Sequence, residues 1–144
     1  MEYCRENTIK VMKELIKNCR NAENLLRNSC STLEDKSLNK IFLYYADLNK
    51  TYINRLENEI LRLGGSIDEI NQDKVSNNTD KTNYREKLKK CENGVNTAVN
   101  NYKEISLRED ILWEVVPIIS QQYFGEIEAH ETIKNINTQV LSGS

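Results

Sequence analysis

Apolar side chains return at alternating steps of three and four along four stretches of this chain, the spacing of one buried face per helix. In the first, Ile9, Met12, Ile16, Cys19, Glu23, Leu26 and Cys30 share a seam, which predicts a helix over Glu6–Cys30. Ser31 to Ser37 is a short polar turn, so the second helix, Leu38–Leu63, folds back as an antiparallel neighbour. Its inward positions are Leu38, Ile41, Phe42, Tyr45, Leu48, Tyr52, Leu56, Glu59, Ile60 and Leu63, and Gly64-Gly65 supplies a left-handed stop. The third, Thr82–Ile105, aligns Tyr84, Leu88, Cys91, Val95, Ala98, Tyr102 and Ile105. The fourth, Glu109–Gln139, aligns Leu112, Val116, Ile119, Tyr123, Glu126, His130 and Ile133. Pro117 removes a backbone donor, so a kink or a restart is expected there.

The stretch between the second and third helices decides the topology. Ser66-Ile67-Asp68-Glu69 has the capping-box pattern and predicts a short helix start. Eighteen extended residues reach about 60 Å, whereas a helix of twenty-six residues is only about 39 Å long. The connection can therefore carry the chain from one end of the bundle to the other. Helices two and three are then parallel, a bundle with a single long crossover. Residues 1–141 are expected to form one such domain, with 142–144 as a disordered tail and fraying from about Thr138.

Composition narrows the functional classes. A net charge of -2 with interleaved acids and bases gives no global attraction to nucleic acid or an anionic membrane surface. The apolar runs Ile41–Ala46 and Ile111–Ile119 are too short to span a bilayer, and Met1-Glu2-Tyr3-Cys4 leads straight into polar sequence, so a cytoplasmic location is expected. Cys4, Cys19, Cys30 and Cys91 show no Cys-x-x-Cys spacing and read as buried thiols. Nucleophile elbows, P-loops and dinucleotide glycine motifs are missing, so the reading leans against an enzyme.

Three motifs resemble a known family. The second helix ends in Leu56-x-x-Glu59-Ile60-x-x-Leu63-Gly64-Gly65. The third carries Cys91-Glu92-Asn93-Gly94 with Ala98 and Tyr102 following. The fourth has Gln122-Tyr123-x-Gly125 and then His130-Glu131-x-Ile133. Together they resemble the bacterial ferritin-like family built on domain of unknown function 2383, over about Ile9 to Asn137. The resemblance implies an all-α, ferritin-like four-helix bundle with its long crossover between helices two and three. The fold relatives suggest a part in stress physiology. The chain departs from the family where Val95-Asn96 replaces Glu-Asp after Gly94, and where Asn21-Ala22 replaces Asp-Gly on the first helix.

The candidate chemistry follows from the carboxylates near the seams. A di-iron bundle takes one Glu from each of two helices and Glu-x-x-His from each of the other two. Here Glu23, Glu92 and Glu59 (or Glu57) are the carboxylate candidates, and Glu126 lies one turn before His130, the sole histidine. Position 127 is isoleucine, so no Glu-x-x-His exists. Two readings follow. One is a non-catalytic bundle, self-associating or partner-binding, with no cofactor; the other is an iron-, manganese- or zinc-binding oxidoreductase or storage relative. The aromatic-rich second helix has more apolar faces than one seam can bury, which predicts a homodimer.

Overall fold

The computed structural model describes residues 2–30, 33–68 and 84–142, and among them it contains four α-helices and no strand. They are α1 (Glu2–Cys30), α2 (Lys36–Arg62), α3 (Tyr84–Ser106) and α4 (Val116–Ser142). Asp35 starts α2 by accepting hydrogen bonds from the Ser37 and Leu38 amides, donors that a first helical turn otherwise leaves unmatched. Gly64 stops it at φ +86°, the left-handed conformation for which glycine has no steric cost.

Side-chain contacts fix the helix directions. Arg27 reaches Asp47 near one end of α1, Arg20 reaches Glu57, and Arg5 donates to the Leu63 carbonyl near the other, so α2 runs antiparallel to α1. Ser29 donates to the Lys87 carbonyl and Asn18 to Asn101, so α3 also runs antiparallel to α1 and parallel to α2. Asn137 donates to the Leu88 carbonyl, while Tyr102 donates to Gln122, so α4 returns antiparallel to α3. The chain thus leaves α2 at one end and enters α3 at the other, the expected crossover. The short helix expected from Ser66 falls mostly outside the described residues; within them, the Ser66 hydroxyl accepts from the Asp68 amide.

Around the bundle the order is α1, α2, α4, α3, with α2 and α4 forming the most widely spaced of the four seams. The apolar core lies in two halves. Met12, Leu15, Ile16, Leu56, Ile60, Ile105 and Ile119 fill one. Leu26, Phe42, Leu88, Val95, Ile133 and Ile136 fill the other. Between them the helices place polar side chains.

Three expectations change. Helix α4 starts at Val116, not Glu109, and Pro117 sits in its first turn without kinking a longer helix. The proline lacks an N–H where that donor would have no intrahelical partner anyway. Residues 107–115 instead make a corner held to α1, where the Thr8 hydroxyl accepts from the Leu112 amide and Asn7 donates to Asp110. The buried stripe of α4 keeps Ile119, Glu126 and Ile133 but takes Gln122 and Ala129 in place of Tyr123 and His130. Helix α4 is also continuous through Ser142, where fraying from Thr138 was expected.

Candidate functional site

The polar layer between the two core halves draws on all four helices. Cys19 comes from α1, Asn49 and Tyr52 from α2, Tyr102 from α3, and Gln122 and Glu126 from α4. Gln122 and Glu126 are one turn apart and point the same way, as helix geometry requires. The Tyr102 hydroxyl donates to Gln122 Oε1 at 2.6 Å and lies 3.3 Å from Cys19 Sγ. Gln122 Nε2 in turn donates to the Tyr52 carbonyl at 3.4 Å. Gly125 leaves room for the Tyr52 ring, since a Cβ there would collide with the tyrosine hydroxyl.

Glu126 is the centre of this layer. Its side chain is fully buried, and both carboxyl oxygens lack a hydrogen-bond partner. Burial pushes its pKa up to about 8, with the neighbouring Asn49 amide pulling weakly the other way. Asn49 commits Nδ2 to the Tyr45 carbonyl at 2.9 Å, leaving its own Oδ1 unpartnered. Ionised, Glu126 would add only acceptors to this arrangement. As a neutral acid it carries one donor as well, in a layer where Asn49 Oδ1 is an acceptor without a partner. Burial likewise raises Cys19, Tyr52 and Tyr102 above their ordinary values, with the Glu126 carboxyl adding to each. Every titratable member of the layer is driven towards its uncharged form.

The other expected ligands lie elsewhere. Glu23 pairs with Arg27 at 2.8 Å, one turn along α1. Glu59 pairs with Arg62 at 2.9 Å and Glu57 with Arg20 at 3.2 Å. Glu92 accepts from Asn137 at 3.1 Å. His130 is half-buried, one position off the inward stripe occupied by Ala129. Among the described residues no three His, Cys, Asp or Glu side chains are grouped so as to hold a metal ion. The expected set of Glu23, Glu59, Glu92, Glu126 and His130 is therefore not brought together. Two of its carboxylates answer arginines, and the one buried carboxyl has amides, phenols and a thiol around it. These residues do not fit a ferritin-type metal centre, which needs several converging carboxylates and histidines.

Sequence reasoning found Glu126 but missed Asn49, Tyr102 and Gln122 as its companions. Gln122 stands four residues before Glu126, a spacing that shares a face, and could have been found. Asn49 was passed over because the stripe of α2, correct at Tyr45 and Leu56, was drawn between them through Leu48 and Tyr52 instead of Asn49 and Ile53.

No protein-family model matches the chain, and no curated protein matches it. Among solved structures it is similar to a two-domain protein from Anabaena variabilis that contains DJ-1/ThiJ/PfpI-like and ferritin-like domains. The similarity has a TM-score of 0.75 at 10% identity and covers 97% of this chain and 38% of that one. The chain thus spans well under half the length of that protein, and the likeness is one of fold. Fold and topology define a ferritin-like four-helix bundle. None of the described helices is long and apolar enough to cross a membrane.

Proposed function

We infer that this chain is a non-catalytic ferritin-like bundle that acts by associating with a second copy of itself. One observation carries the reading. Helix α4 carries large apolar side chains on its outer side as well as its inner one. Phe124 is 68% exposed and stacked on Tyr123, with Val116 exposed along the same helix and Trp113 in the turn before it. Large apolar side chains exposed close together mark an association surface. The dimer expected from α2 is thereby reassigned chiefly to α4. On α2, Tyr45 turns inward and Tyr44 outward.

Sedimentation velocity over a micromolar to submillimolar range is expected to move from monomer to dimer. A monomeric mass throughout would overturn the reading. The iron, manganese or zinc alternative has its own measurement. Protein purified without an affinity tag and equilibrated with each ion is expected to retain only substoichiometric metal. Stoichiometric metal that disappears in His130→Ala would restore the metal-binding reading.

A further inference from the structure

We propose that two copies pair α4 against α4, antiparallel, about a two-fold axis at Phe124, with Arg55 of each meeting Glu128 of the other. This rests on the self-association argued above and adds its surface and register. The seam between α2 and α4 supplies the coordinates of the face. Tyr45 Oη lies 3.2 Å from Thr132 Oγ1, which sets Tyr44 and Tyr45 level with Thr132. Gln122 donates to the Tyr52 carbonyl, and Tyr52 packs on Gly125, which sets Tyr52 level with the segment around Phe124. Arg62 approaches Glu114 at 3.8 Å, which sets the end of α2 level with Trp113 and Glu114.

On that scale exposed aromatics stand to either side of Phe124. Trp113 is eleven residues before it, and Tyr44 is about level with Thr132, eight after it. Inverting α4 about Phe124 therefore brings the level of Trp113 in one copy to that of Tyr44 in the other. Tyr44 is 60% exposed and Trp113 84%, so both have surface to cover.

The charges fall on the same symmetry. Glu128 is exposed and lies close enough to Tyr45 and Tyr52 to raise both phenols, which puts it on the α2 side of α4. Arg55 is exposed three residues beyond Tyr52, on the same flank of α2. It is thus about one turn further than Tyr52 towards Arg62, level with the start of α4's second turn. Glu128 lies about one turn past Phe124 in the other direction. Within one copy the two are about two turns apart by this ladder, and inversion about Phe124 brings their levels together. An isologous pair repeats the contact on both sides of the axis. An unrelated partner has no reason to match a face built symmetrically about one residue, whereas a second copy matches it by construction.

The test is a charge reversal on the full chain, read by sedimentation and by emission from Trp113, the sole tryptophan. Arg55→Glu alone and Glu128→Arg alone are each expected to weaken the dimer about tenfold or more, since each sets like charges face to face twice. The double variant Arg55→Glu/Glu128→Arg is expected to recover most of the loss. Phe124→Glu should leave a helical monomer, and Trp113 emission should shift to the blue with concentration in the wild type only. A dimer unmoved by Phe124→Glu, or a double variant no tighter than the singles, overturns this surface while leaving self-association standing. A wild type that stays monomeric overturns both.

Discussion

Raising the pH from about 4.5 to about 8 is expected to cost the fold on the order of 5 kcal/mol through one side chain, Glu126. Its carboxyl titrates near 4.5 when the chain is unfolded and at about 8 in the folded bundle, where burial disfavours the anion. Between those values the folded protein holds a proton that the unfolded chain has released, so stability falls as the pH rises. The slope approaches about 1.4 kcal/mol per pH unit. Below the lower value both states are protonated, above the upper one both are ionised, and the contribution is flat on either side. Glu126→Gln keeps the shape and stays neutral at every pH. Urea midpoints across this window should therefore fall for the wild type relative to the variant, with the variant the more stable above pH 8. Parallel curves for the two proteins would show that Glu126 is not held as a neutral acid.

The second large effect is expected at Tyr102. Its ring is fully buried, and its hydroxyl is the donor that satisfies Gln122 Oε1 while touching Cys19 Sγ. Tyr102→Phe keeps the ring and strands the glutamine oxygen in the core, a loss of about 2 kcal/mol. Adding Gln122→Leu removes the stranded acceptor, so the double variant should recover part of that loss. Chemical denaturation of the two single variants and the double closes the cycle. Full additivity would mean that the hydroxyl and the amide act independently.

The proposed self-association and the polar layer use opposite sides of α4. Its inner face carries Glu126 and Gln122, and its outer side carries Phe124 and Val116. Phe124→Glu is therefore expected to disperse the dimer while leaving the pH dependence of stability in place.

Four helices, their antiparallel first pair and the long crossover were legible from the chain alone. Periodicity of three and four with polar breaks depends only on which residues stand where, and a turn of a few residues restricts the next helix to one direction. The seam of α3 was legible almost to the residue: Leu88, Cys91, Val95, Ala98, Tyr102 and Ile105 are all buried, and only Tyr84 turns out. Phe42, Tyr45, Leu56 and Ile60 on α2 and Ile119, Glu126 and Ile133 on α4 are buried as expected. What the chain could not decide was which neighbours fill the positions between them. A step of one position turns a helix by about 100°, and neighbouring polar and apolar candidates make both stripes plausible. Packing buries Asn49, Gln122 and Ala129 and leaves Leu48, Tyr123 and His130 at the edge of the interior. That choice separated Glu126 from the histidine and the other carboxylates. It made a candidate ligand set into a neutral layer around one protonated acid.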